Sequence, residues 1–230
     1  MKLLLFDVDA TLILTGGAGL RALDRAFLKL YSISGAMEGV APHGKTDPAI
    51  IREIFQRRFE SEPPNNTTVA NILETYVEYL REEVETSDTY HILPGIMDIL
   101  EELNTRSDVL LGLATGNVES GARIKLRRGD LNRFFSFGGY GSDSEDRTGL
   151  VRRAAEKAQL KHGAVIRNQD VFVIGDTPRD IEAGTDAGFQ TVGVATGQYS
   201  VKQLQEAGAH VAISNFREGR DYFLRSTFMD

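Results

Sequence analysis

The feature that most constrains this chain is an alternation that breaks once. Short apolar runs rich in branched residues, at 3–6, 109–114, 134–138, 171–174, 191–194 and 211–213, alternate with helical patterns at 95–105, 119–128, 149–160, 180–187 and 201–207. Such alternation is the signature of βαβ units, so the expectation is an α/β fold built on a Rossmann-like parallel sheet. From about 16 to 86 the alternation stops. Three apolar stripes at helical spacing take its place: Leu20, Leu23, Phe27 and Leu30; Ile50, Ile51, Ile54 and Phe55; Ile72, Tyr76, Tyr79 and Leu80. A polar turn at 61–68, with Pro63-Pro64 and Asn65-Asn66, separates the last two. A helical block inserted after the first strand predicts two units. The core comprises 1–14 and 90–230, the insert 15–89, and the hinges fall at 15–19 and 85–94.

A chain of 230 residues has room for one full domain and a smaller one, and buries about 70% of its unfolded surface. Its 41% hydrophobic and 26% charged residues are those of an ordinary globular protein. With no cysteine, disulfides, thiolate zinc sites, iron–sulfur clusters and cysteine nucleophiles are excluded. A reducing, cytoplasmic setting is the expectation. The apolar run after Lys2 ends at Asp7 and Asp9, too short for a signal peptide, and no other run approaches membrane-spanning length. A formal charge of −7 argues against nucleic acid or an acidic membrane surface as partner. Nothing in the sequence points to an obligate protein partner.

In open α/β sheets ligands bind at the carboxyl ends of the strands, so the residues just after each apolar run carry the functional information. Asp7-Val8-Asp9-Ala10-Thr11 follows the first run, Thr115-Gly116-Asn117 the second, and Gly175-Asp176-Thr177-Pro178-Arg179-Asp180 a third. In an extended chain Asp7 and Asp9 point to the same side, and Asp176 and Asp180 have the i,i+4 spacing of one helix face. Four carboxylates in one mouth demand raised pKa values or a cation, and oxygen-only ligands favour Mg²⁺. Beside Mg²⁺, Asp7 can attack phosphorus and form an aspartyl-phosphate. Asp9 can then protonate the leaving oxygen and later take a proton from water. Thr115 supplies a hydroxyl and the backbone N–H groups after it can bind phosphoryl oxygens, while Arg147 is the candidate fixed cation. Either Asp pair alone is equally well read as turn or N-cap chemistry; three polar signatures after three strands are not.

This set resembles the haloacid dehalogenase superfamily, in its phosphatase branch with a helical cap inserted after the first motif. The four motifs correspond to Asp7-Val8-Asp9-Ala10-Thr11, Thr115-Gly116, Arg147, and Gly175-Asp176 with Asp180. The resemblance implies Mg²⁺ held by the Asp7 carboxylate, the Asp9 backbone carbonyl and Asp176, with Asp180 supporting. Most relatives carry Gly where this chain has Ala10 and Lys where it has Arg147; the alanine is expected to be harmless, and the arginine leaves Arg152, Arg153 and Lys157 nearby as alternative cations. Dehalogenases and phosphonate-cleaving relatives lack the carboxylate at the position of Asp9, so Asp9 argues for phosphate esters. The loop around Gly44-Lys45-Thr46-Asp47 resembles the cap loop of phosphoglycolate phosphatase-like relatives, in which His43 and Lys45 would read the substrate beside Thr115, Gly116 and Asn117. The implied activity is hydrolysis of a small phosphorylated metabolite, a short acid such as 2-phosphoglycolate or a sugar phosphate. Sugar phosphomutase chemistry on the same aspartyl-phosphate is the alternative.

Two glycine-rich stretches imitate other sites. Gly39–Thr46 satisfies G-x-x-x-x-G-K-[ST], but a helix lies upstream and Pro42 removes a donor, so a phosphate-cradling loop is not expected. Gly17-Ala18-Gly19 imitates a dinucleotide turn, yet the carboxylates upstream would repel a pyrophosphate, and a hinge or helix entry is expected instead. His91, His162 and His210 are read as surface or satisfied histidines. The basic stretch 123–128 is read as a solvated helix end.

Overall fold

The computed structural model describes residues 1–59, 63–163 and 165–228. Residues 61 and 62 of the polar turn lie outside the described residues. The strands are β1 (Lys2–Phe6), β2 (Ile13–Leu14), β3 (His91–Ile92), β4 (Val109–Thr115), β5 (Gly138–Tyr140), β6 (Val171–Gly175), β7 (Gln190–Val194) and β8 (Val211–Ile213). Six of them form a parallel sheet in the order β5-β4-β1-β6-β7-β8.

Successive side chains of a strand point to opposite faces, and both faces are covered here. Leu3, Leu5, Val171 and Val173 pack on Leu150, Val151 and Ala154 of α6 (Arg147–His162) and on Ala183 of α7 (Pro178–Asp186). Leu4, Phe6, Leu113 and Ile174 pack on the other layer. That layer is built from α4 (Ile96–Asn104), α5 (Glu119–Arg127) and α9 (Phe216–Phe228). The short α8 (Val201–Glu206) covers the β7–β8 edge through Leu204. Double coverage explains why the strands read as unbroken apolar runs.

The helical insert consists of α1 (Ala18–Tyr31), α2 (Asp47–Phe59) and α3 (Asn66–Glu85), which bury a core of their own around Phe27, Ile54, Phe55, Ile72 and Tyr76. The chain enters and leaves the insert through β2 and β3, an antiparallel ribbon pairing Ile13 with Ile92 and Leu14 with His91.

Three expectations need correction. The run 134–138 is not a strand: Leu131–Phe134 forms a 3₁₀ turn, Phe135 packs against Phe6, and pairing begins only at Gly138. The stripe on α1 is rotated, because Ala18, Ala22 and Ala26 face the core and let α1 approach α3 closely, while Leu20 and Leu30 are exposed. The ribbon β2–β3 and the last helix α9 were not anticipated. Ala10 is not neutral: its φ of 56° lies in the left-handed region, where a Cβ carries a penalty that glycine escapes.

Candidate active site

β4, β1 and β6 are adjacent in the sheet, and Phe6 is in register with both Leu113 and Ile174. The residues at their carboxyl ends, Asp7, Thr115 and Asp176, therefore emerge side by side. The Asp7 N–H still donates to the Ile174 carbonyl at 2.8 Å, so the sheet itself holds the first carboxylate in place. Asp180 arrives from α7, whose first turn is started by Pro178 and by a reciprocal cap: the Asp180 Oδ2 accepts from the Thr177 N–H at 3.0 Å and from its hydroxyl at 2.7 Å.

Carboxylate oxygens of Asp7, Asp176 and Asp180 lie within 4.8 Å of one another, and all three residues are buried. Arg147, at the first position of α6, reaches between them. Its Nε donates to Asp180 Oδ1 at 2.9 Å, one terminal nitrogen sits 3.3 Å from Asp7 Oδ1, and another donates to the Gly44 carbonyl at 3.1 Å. Burial pushes the Asp7 carboxyl up to about 7 even though Arg147 opposes the rise. Burial, reinforced by Asp180 and Asp7, pushes Asp176 up to about 8. One guanidinium among three carboxylates leaves the cluster short of positive charge. The donors are all oxygen, which suits a hard divalent cation, and the cluster has been given the room it needs. A Cβ at Gly197 would lie 1.8 Å from Asp176 Oδ2, so only glycine there lets that carboxylate keep its place.

Asp9 does not join the cluster through its side chain. Its carboxylate is partly exposed, and Oδ2 accepts from Asn117 Nδ2 at 2.7 Å and from Lys125 Nζ at 2.7 Å. The Asn117 amide also donates to Thr115 Oγ1 at 2.8 Å. Gly116 lies under the loop that precedes α2. Its carbonyl accepts the Asp47 N–H at 2.8 Å, and a Cβ there would sit 2.2 Å from the Lys45 carbonyl oxygen.

Asp7, Asp9, Thr115, Gly116, Asn117, Arg147 and Asp176 open onto one cavity of about 370 Å³ between the sheet and the helical insert. His43 and Lys45 line it from the loop, though neither side chain is idle. His43 Nε2 is 2.6 Å from the Gln198 amide, and Lys45 is ion-paired with Glu53. Leu14, Leu20, Leu23 and Ile50 form its apolar wall, with the Tyr76 ring beside them. His91, read as a surface residue, is exposed but borders the same cavity. The stretch 39–46 joins α1 to α2 with no strand before it, and Gly17 is the N-cap of α1 with φ 80°, as the competing motifs' contexts implied.

Sequence reasoning missed Lys125, Asp47 and Tyr76. Lys125 is 5% exposed, on the buried side of α5 with Gly121, Ala122 and Leu126 rather than on a solvated helix end. Its spacing of four from Gly121 was the available signal. Burial alone would lower its pKa, but the Asp9 and Asp47 carboxylates more than offset this and raise it. Asp47 is buried, accepts from the Val118 N–H at 2.9 Å and is pushed up to about 6 by its burial, with Lys125 opposing.

A family profile described as haloacid dehalogenase-like hydrolase matches residues 4–194. The chain belongs to this family. Solved structures share the haloacid dehalogenase-like fold along nearly its whole length. A hydrolase from Pseudomonas syringae is 21% identical, with 96% of this chain and 97% of that chain covered at a TM-score of 0.71. A predicted phosphatase from Clostridium acetobutylicum is 18% identical, with 97% and 98% covered at 0.73. CbbY from Rhodobacter sphaeroides, as a mutant in complex with xylulose-(1,5)bisphosphate, is 19% identical, with 95% and 96% covered at 0.74. No curated protein sequence matches the chain. No helix among the described residues of this haloacid dehalogenase-like hydrolase is long and apolar enough to cross a membrane.

Proposed function

We propose that this haloacid dehalogenase-like hydrolase is a Mg²⁺-dependent phosphatase of small phosphate monoesters that works through an aspartyl-phosphate on Asp7. The observation that carries the reading is the division of labour between two carboxylates two residues apart. Asp7 is buried against Arg147, Asp176 and Asp180, while the Asp9 side chain turns to Lys125 and Asn117 and faces the cavity. In the first half-reaction an Asp7 oxygen bonds to phosphorus, the ester P–O bond breaks, and the leaving oxygen takes the proton of the Asp9 carboxyl. In the second, the Asp9 carboxylate takes a proton from water as the water oxygen attacks phosphorus, releasing inorganic phosphate and restoring Asp7. Arg147, Thr115 and the backbone N–H groups of the 115–117 loop would hold the phosphoryl oxygens. The Asp7 and Asp176 carboxylates and the Asp9 carbonyl would hold Mg²⁺, with Asp180 supporting. When bound, the ion supplies positive charge at the phosphoryl group.

Residues 15–89 act in this reading as the cap that closes over the substrate, with His43 and Lys45 above the leaving group. Among the described residues, each lysine or arginine lining the cavity already has a carboxylate: Lys45 has Glu53, Lys125 has Asp9, and Arg147 has Asp7 and Asp180. An uncharged, hydroxylated leaving group such as that of a sugar phosphate therefore fits better than the carboxylate of a phosphorylated acid. The test is phosphate release from sugar phosphates, 2-phosphoglycolate, nucleotides and p-nitrophenyl phosphate, with and without Mg²⁺. Mg²⁺-dependent release with sugar phosphates ahead supports the reading. Isomerised sugar phosphate with no free phosphate would make the protein a mutase.

A further inference from the structure

Lys125 is a cavity-lining charged group with no part in the proposed reaction, and it sits in an unusual place. A buried ion pair is poor evidence for stability, because well-packed apolar residues often do as well. Here a lysine on the inward side of α5, surrounded by Gly121, Ala122, Ile124 and Leu126, brings a full charge into that layer. Its ammonium donates to Asp9 Oδ2 at 2.7 Å and to Asn117 Oδ1 at 2.6 Å. Asn117 in turn donates to the same Asp9 oxygen at 2.7 Å and to Thr115 Oγ1 at 2.8 Å. Both donors fall on Oδ2, which leaves Oδ1 as the Asp9 oxygen with no donor among the described residues.

We propose that Lys125 is a positioning residue that fixes the Asp9 carboxyl so that Oδ1 presents the transferred proton to the leaving oxygen. The inference rests on the phosphatase reading and extends it to a residue ten positions beyond Thr115. Without the ammonium, the carboxyl keeps only the Asn117 amide, itself held by Lys125, and turns freely about its last torsion. The loss then falls on protonation of the leaving group and not on the attack by Asp7.

Leaving-group dependence separates this from a merely structural role. p-Nitrophenolate leaves with little help from an acid, whereas a sugar alkoxide needs a proton, and kcat/KM reports the steps through the first cleavage. Lys125→Met and Asp9→Asn are compared with the unmodified protein in Mg²⁺ on p-nitrophenyl phosphate and on the best sugar phosphate. Lys125→Gln, which keeps a donor toward Asp9, is read in the same way should the methionine variant not fold. The expected result is a loss of about a hundredfold on the sugar phosphate for Lys125→Met, at least tenfold greater than its loss on p-nitrophenyl phosphate. Lys125→Gln falls between, and the double variant with Asp9→Asn is no slower than Asp9→Asn alone. Equal losses on both substrates, or multiplied losses in the double variant, overturn the proposal while leaving the phosphatase intact. No phosphate release by the unmodified protein from any substrate overturns the phosphatase reading itself, and this proposal with it.

Discussion

The Asp47 carboxylate accepts the Val118 N–H at 2.9 Å while the Asp47 N–H donates to the Gly116 carbonyl at 2.8 Å, so the first turn of α2 is bolted to the loop after β4. This contact ties the helical insert to the sheet at the loop proposed to hold the phosphoryl group. It depends on a glycine. Gly116→Ala would place a Cβ 2.2 Å from the Lys45 carbonyl oxygen, backbone against backbone, so the two loops must separate. The expected outcome is destabilisation by about 1–3 kcal/mol and a fall in kcat/KM of at least about tenfold. Thermal unfolding and steady-state kinetics check it together; an unchanged kcat/KM would show that closure of the insert does not depend on this contact.

Asp7→Asn removes the proposed nucleophile and also one of three crowded carboxylates. Burial pushes Asp7 up to about 7, so the fold holds this charge reluctantly, and its loss is not expected to lower stability. Phosphate release should fall by at least about a thousandfold, because an amide does not replace a carboxylate as nucleophile. A Tm equal to or above the original, with activity lost, is the expected pair of readings. Activity within tenfold of the original would move the nucleophile elsewhere.

Arg147 carries two burdens, and its variants separate them. The guanidinium is buried between Asp7 and Asp180, and those carboxylates hold its pKa raised. Arg147→Ala leaves them buried without a counter-ion, which is destabilising by about 3–5 kcal/mol, and removes a cation worth about 10²–10³ in kcat. Arg147→Lys keeps the charge but loses the fork that spans Asp180, Asp7 and the Gly44 carbonyl. It should recover most of the activity and less of the stability. Denaturant unfolding beside kcat/KM for the two variants decides this, and equal recovery of both quantities would argue against two separate roles.

The sequence carried the architecture and most of the candidate site because both obey local rules. Asp7 and Asp9 share a side by the period of a strand, and Asp176 and Asp180 flank a capped helix start with Pro178 inside it. What it did not carry depends on distant partners. The two-residue strands β2 and β3 exist only through pairing of Ile13 with Ile92 across the whole insert. Phe134 and Phe135 look like a strand, yet the aromatic contact to Phe6 bends them into a turn. Lys125 stands between arginines in a basic run, and the carboxylate that holds its charge in the buried layer, Asp9, lies 116 residues away. On α1 leucines mislead, since the alanines make the close approach to α3.

Ala10 offers a test of backbone strain in the loop that leaves β1. Its φ is 56°, and its carbonyl is held by the Thr196 hydroxyl at 2.6 Å, so the turn cannot relax away. A left-handed conformation costs a non-glycine residue about 1–2 kcal/mol, and glycine gives back about 0.5–1 kcal/mol through the entropy of its unfolded chain. Ala10→Gly should therefore stabilise the protein by up to about 1 kcal/mol, a rise in Tm of about 2–4 °C at this size. A fall in Tm would mean that the loop's hold on Ala10 is weaker than its geometry implies.

The acidic cluster couples both stability and cation binding to pH. The ordinary pKa of an aspartate is 3.8, whereas in the fold burial pushes Asp7 up to about 7 and Asp176 up to about 8. Between about pH 4 and pH 8 the folded, metal-free protein thus binds more protons than the unfolded chain, and its stability falls as pH rises through that window. A divalent cation binds the deprotonated carboxylates and must displace those protons at low pH, so its stabilising effect runs the other way. At saturating Mg²⁺, about a hundred times its Kd, the gain should be about 2.7 kcal/mol, or a Tm rise of roughly 5–10 °C, at pH 8. The same Mg²⁺ concentration should give less than half that rise at pH 6. Thermal unfolding in chelator and in Mg²⁺ across pH 6 to 8 measures both slopes, and Asp176→Asn should flatten them. A Mg²⁺ shift of the same size at both ends of the range would mean that the cation does not bind at Asp7, Asp176 and Asp180.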